Sequence, residues 1–113
     1  MPAGQIKYDV RFAEYAEAML TGISDKRIRA KIASAIGELE YNPQQRGKPL
    51  ADDLAGLWSK RAAAQRYRIV YSIDEDHEPP PPLVIVRAIG IRKDGDRKDV
   101  YRIASKMKAR GEL

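Results

Sequence analysis

Apolar and polar residues alternate from Gln5 to Phe12, with Ile6, Tyr8, Val10 and Phe12 on one side and Lys7, Asp9 and Arg11 on the other. A period of two predicts a half-buried strand over residues 5–12. The period then changes. Residues 13–20 read as a short helix closed by Thr21-Gly22, after which Ser24 and Asp25 offer N-cap side chains to a second helix. Its apolar positions Ile28, Ile32, Ala35, Ile36 and Leu39 recur at helical spacing until Asn42-Pro43 stops it. A short turn between two such helices predicts a helical hairpin laid on a sheet.

Residues 43–56 read as a loop anchored to the core by Leu50 and Leu54. Strands are predicted at 57–62 and 67–73, close enough to form a hairpin through Ala63-Ala64-Gln65-Arg66. In the second, Tyr67, Ile69, Tyr71 and Ile73 share one face, and Arg68, Val70 and Ser72 share the other. Residues 74–82 end in four consecutive prolines and can be neither helix nor strand. Residues 83–91 are apolar and β-branched, as a central strand requires. After a turn at Asp94-Gly95, Val100, Ile103, Ala104 and Met107 line one side of a helix predicted over 96–110. The predicted order is β-α-α-β-β-β-α, an α+β fold in one domain over residues 1–113. Its sheet is antiparallel, built on a three-strand meander, with the helical hairpin packed on it.

Composition narrows the chemistry. The chain has 113 residues, 43% hydrophobic and 33% charged, which is globular composition. It has no cysteine, which excludes disulfides, thiolate zinc sites and cysteine nucleophiles. The one histidine, His77, excludes a two-histidine acid–base mechanism and a histidine-cluster metal site, and it lies in a charged loop that reads as solvated. The acids of 74–78 lack EF-hand spacing, and Gly90, Gly95 and Gly111 form no phosphate-binding fingerprint, so no metal and no cofactor is expected. No apolar run approaches a membrane span and the start has no signal-like apolar segment, so a cytoplasmic protein is expected.

The net charge of +5 is unevenly spread. Residues 57–71 hold four basic side chains and no acid, and residues 92–113 hold eight basic against four acidic. Period two puts Ser59 and Arg61 on one face and Trp58 and Lys60 on the other. If the strands pair as a hairpin, Arg61 and Arg68 lie side by side, and Arg92 follows at the end of the next strand. Three guanidiniums on one face repel each other unless an anion sits between them. A phosphate suits their planar donors; pairing with carboxylates, merely solubilising the sheet, is the competing reading. Lys26, Arg27, Arg29 and Lys31 at the start of the second helix could touch RNA backbone or form an ordinary solvated face.

The run Leu50…Leu54-Ala55-Gly56-Leu57-Trp58-Ser59-Lys60-Arg61…Tyr67-Arg68-Ile69-Val70-Tyr71-Ser72-Ile73-Asp74 resembles the central signature of the RelE/ParE toxin superfamily. Ala88-Ile89-Gly90-Ile91-Arg92…Asp99-Val100-Tyr101 resembles its last strand and tail. The resemblance implies a type II toxin, monomeric alone and held inactive in a complex with a cognate antitoxin. Its RelE branch cuts mRNA in the ribosomal A site without metal, whereas its ParE branch inhibits DNA gyrase and cuts nothing. On the RelE pattern Arg61, Arg68 and Arg92 hold and stabilise the scissile phosphate, and Tyr101 falls on the tyrosine assigned as general base. A tyrosine, with an ordinary pKa of about 10, needs cationic neighbours for that role. Lys48, Lys60, Arg66, Lys93 and Lys98 are the further candidates for RNA contact. Retention of Arg61, Arg68, Arg92 and Tyr101 together favours the nuclease branch. Two departures stand out: Ser59 occupies a position where active RelE-type sequences commonly carry a second basic residue, and residues 93–99 make a longer segment than in the shortest members. They keep open a gyrase inhibitor and an RNA-binding protein whose catalytic face has decayed.

Overall fold

A computed structural model describes residues 5–113; Met1 to Gly4, part of the start judged free of a signal segment, lie outside the described residues. The elements are β1 (Asp9–Phe12), α1 (Glu14–Thr21), α2 (Lys26–Gly37), α3 (Pro43–Arg46), β2 (Lys48–Pro49), β3 (Trp58–Ala62), β4 (Tyr67–Asp74), β5 (Leu83–Ile91) and α4 (Val100–Ala109). The strands form one sheet in the order β1-β5-β4-β3-β2. The meander β3-β4-β5 is antiparallel, as expected, and β1 joins its edge parallel to β5. The predicted α+β order therefore holds, with α3 and β2 added.

Each face of the sheet is covered by different helices. Asp25 caps α2 by accepting the amides of Arg27 and Ile28, and α2 then turns Ile32, Ala35 and Ile36 inward. With Ala16 of α1 and Leu39 they pack on Ile69, Tyr71, Val84, Val86 and Ile89. Tyr67 and Ile73 join the same layer, so the apolar face read from β4 is the hairpin face. On the other face Val70 and Ala88 pack with Val100 and Ala104 of α4 and with Leu54.

A bulge makes the second layer possible. Val70 pairs with Ala88, but Tyr71 pairs with Val86, which leaves Arg87 without a register partner. The extra residue reverses the parity of β5. Val84 and Val86 therefore face the hairpin while Ala88 faces α4. Gly90 completes the fit, because a Cβ there would sit 3.3 Å from Val100 Cβ.

The structure corrects four sequence expectations. The first strand is residues 9–12, not 5–12, and Ile6 and Phe12 are 60% and 39% exposed; β1 has only β5 to pair with, and its ends run past the cover of the helices. Residues 43–56 are not a plain loop. Pro43 opens a one-turn helix, where its fixed φ is suited to the first position, and Lys48 and Pro49 pair with Ser59 and Trp58. The strand predicted over 57–62 begins at Trp58 instead of Leu57. The last helix begins at Val100 instead of residue 96, because residues 94–98 form turns and the Asp99 carboxylate accepts the Tyr101 amide as N-cap.

Candidate active site

On the α4 side of the sheet, at its β2–β3 edge, lies a groove of about 500 Å³. It is lined by the 45–50 segment, by Ser59, Lys60, Arg61 and Arg68 of the sheet, and by Tyr101. The hairpin register makes Arg61 and Arg68 direct cross-strand partners. The turn between them is unusual for an L-residue segment: Ala63, Ala64 and Gln65 all have positive φ. It brings Gln65 back over both arginines. Arg68 Nη1 donates to the Gln65 carbonyl at 2.6 Å and to the Tyr67 carbonyl at 3.1 Å, and Arg61 Nη1 donates to Gln65 Oε1 at 3.5 Å. Among the described residues neither guanidinium meets a carboxylate.

The groove wall depends on one glycine. Gly47 lies so close to β3 that a Cβ would stand 2.5 Å from the Ser59 carbonyl oxygen and 2.6 Å from the Tyr71 hydroxyl. Tyr71 donates from that hydroxyl to the Pro43 carbonyl at 2.8 Å, tying α3 to the sheet. Burial pushes the Tyr71 phenol up to about 12, so it stays a neutral donor. Lys48, next to Gly47, is exposed and lies beside Ser59 in the β2–β3 register.

Tyr101 enters from α4. Its hydroxyl and Ser59 Oγ hydrogen-bond at 2.7 Å, and either can donate. Arg92 covers the Tyr101 ring with its guanidinium 4.4 Å from the centroid. Arg92 is held there by Asp99, to which Nη1 donates at 2.6 Å. Asp99 is 4% exposed and also accepts the amide of Lys93 at 2.6 Å. Its burial opposes the charge, but the bonds from Arg92 and from backbone amides outweigh it and hold the carboxyl below its ordinary range. The same bond to Asp99 raises Arg92.

Arg61, Arg68, Lys48 and Tyr101 thus share one groove, with Arg92 behind the Tyr101 ring. Of the remaining RNA-contact candidates, Lys60 borders the groove but sends its ammonium away from it, and Arg66, Lys93 and Lys98 lie elsewhere. Lys60 points to the opposite face, as its parity requires, where its side chain is 11% exposed and its ammonium donates to the Ala35 carbonyl at 3.0 Å and pairs with Glu38 at 2.5 Å. Arg66 lines a separate cleft with Lys31 and Tyr67. Lys93 pairs with Asp96 at 3.5 Å, and Lys98 is exposed on the same 93–99 segment. In the α2 cluster Arg29 folds back to donate to the Ile23 carbonyl at 2.6 Å, while Lys26, Arg27 and Lys31 are exposed. His77 lies 3.6 Å from Asp74. Among the described residues no three His, Cys, Asp or Glu side chains gather, and no helix is long and apolar enough to cross a membrane.

Sequence reasoning missed Arg46, Gly47, Gln65 and Asp99. Arg46 lines the groove and donates from Nε to the Tyr41 carbonyl at 3.2 Å. Asp99 had a readable signal, an N-cap residue directly before the apolar run of α4. Gly47 had none.

The fold that carries this groove is shared with small bacterial toxins to which the chain is similar. Toxin RelG of Mycobacterium tuberculosis is 35% identical over 95 residues, covering 84% of this chain and 97% of that protein. Toxin RelE of the same organism is 39% identical over 70 residues, 62% of this chain and 70% of that protein. The crystal structure of the M. tuberculosis toxin–antitoxin complex RelBE2 contains a chain that matches with a TM-score of 0.64 and 34% identity, over 79% of this chain and 95% of that one. The YoeB/ParE toxin of Agrobacterium tumefaciens shares the fold, with a TM-score of 0.61 at 21% identity over 75% of this chain and 99% of its own. No family model matches the chain. The chain belongs to the RelE/ParE toxin superfamily of type II toxin–antitoxin systems.

Proposed function

We propose that the protein is a ribosome-dependent endoribonuclease that cuts mRNA in the A site without a metal ion. The reading is carried by one observation: two arginines face each other in register, without carboxylates, in the groove that Tyr101 enters. Their guanidiniums hold the scissile phosphate and stabilise the extra negative charge that develops as the 2′-oxygen attacks phosphorus. Tyr101 takes the 2′-hydroxyl proton, with the Arg92 guanidinium held over its ring. The bond from phosphorus to the 5′-oxygen breaks, that oxygen takes a proton from water, and the products are a 2′,3′-cyclic phosphate and a 5′-hydroxyl. Lys48 and Arg46 lie along the same groove for the flanking phosphates. Lys60, paired on the far face, takes no part. The protein works where ribosomes translate, in the cytoplasm, and a cognate antitoxin, as in the RelBE2 complex, silences it.

Primer extension on a defined mRNA, with and without ribosomes holding an empty A site, tests the proposal. Cuts in the A-site codon only with ribosomes are expected, with Arg68→Ala reducing them by about 100-fold or more. Intact RNA in both lanes, from folded protein, overturns it and directs the next measurement to gyrase supercoiling.

A further inference from the structure

Ser59 is an uncharged side chain in a groove lined by Arg46, Arg61 and Arg68, and the structure gives it a partner. We infer that Ser59 is a positioning residue for Tyr101: it aims the phenol into the groove and follows its protonation state, in place of a fixed positive charge. The inference rests on the nuclease reading above.

Three observations carry it. Ser59 is 7% exposed and sits in β3 between Lys48 and Val70, so its backbone is fixed by the sheet on both sides. Its Oγ lies 2.7 Å from the Tyr101 hydroxyl, a contact between residues 42 apart in the chain. Arg92 and the Asp99 cap hold the other parts of Tyr101, its ring and its backbone amide, which leaves the hydroxyl's direction to Ser59. A serine hydroxyl can both donate and accept. It accepts from the neutral phenol and, by rotating, donates to the phenolate, while keeping its own proton throughout. An ammonium or guanidinium at this position could only donate. Bonds to a charged acceptor are the stronger ones, so the contact keeps the phenol oxygen in line at the base step.

The test is a kinetic double-mutant cycle on ribosome-bound mRNA, with thermal unfolding of every variant as the control for folding. Ser59→Ala is expected to lower kcat about three- to tenfold with KM unchanged. Ser59→Thr, which keeps the hydroxyl, restores most of it. In the Tyr101→Phe background, Ser59→Ala has no further effect, because the atom it acts on is gone. Wild-type kcat in Ser59→Ala overturns the inference and leaves the nuclease standing. So does an equal fall in the Tyr101→Phe background, which is what a merely structural serine would give. Wild-type protein that leaves the RNA whole overturns both.

Discussion

Lys60 and Arg61 are neighbours in β3 and face opposite ways. On the hairpin side Lys60 meets a carbonyl and the Glu38 carboxylate, which its hydrogen bond holds below the ordinary carboxylate range. On the groove side Arg61 meets another arginine across the strand pair and an amide side chain. One strand thus treats two cations in opposite ways. Pairing limits what a desolvated charge costs the fold, whereas like charges directly opposite each other in a sheet destabilise it. The groove side gives up stability that the hairpin side keeps, and an anion supplied from outside would return it.

The harshest way to break the contrast is to push the groove wall off the sheet. In Gly47→Ala the new methyl meets the Ser59 carbonyl and the Tyr71 hydroxyl at distances no packing tolerates. Urea unfolding should show a loss of about 1–3 kcal/mol, and cleavage should fall with it while the Lys60–Glu38 pair survives.

Asp99→Asn comes next. The carboxyl of Asp99 is held below its ordinary value of 3.8 in the fold. Its contribution is therefore complete above that value and fades as the pH falls through the lower folded one. Removing the charge should cost about 2 kcal/mol at neutral pH and flatten the acid limb of the stability curve, as unfolding at neutral pH and near pH 3 would reveal.

Gln65→Glu sharpens the comparison from the other direction, giving Arg61 and Arg68 a carboxylate such as Lys60 has on the hairpin side. Cleavage should fall at least about tenfold while unfolding free energy rises by up to about 1 kcal/mol. The smallest effect belongs to Lys60→Met. Glu38 stays largely in solvent, so stability should drop by less than about 1 kcal/mol, with cleavage unchanged. A rate as low as that of Arg68→Ala would contradict the assignment of faces.

The apposition of Arg61 and Arg68 was legible in the sequence, since a period of two and a four-residue turn set which side chains meet. So were the hairpin face of β4 and the helix that Asp25 caps. The placement of Ala88 and Gly90 against α4 was not, because it depends on a bulge at Arg87 and alternation cannot count an extra residue. A two-residue strand such as β2 has no period at all, and Gly47 matters through a tertiary approach. Lys60 was drawn into the RNA contacts by its charge although its parity already placed it on the far face. The link from Ser59 to Tyr101 spans two elements and needed the sheet and α4 together.

The parallel pairing of β1 bears on how long the folded state lasts. Asp9–Phe12 meets Leu83–Val86 across roughly 70 intervening residues. Closing a loop of that length is entropically unfavourable and gains nothing until the β3-β4-β5 meander offers an edge. The strand is therefore expected to dock late, on the native side of the folding barrier. Val10→Ala should speed unfolding and leave the folding rate almost unchanged, which stopped-flow chevrons would separate. The kinetic persistence of the protein is then governed from the sheet edge opposite the groove, so its lifetime can be tuned with the arginines and tyrosine left untouched.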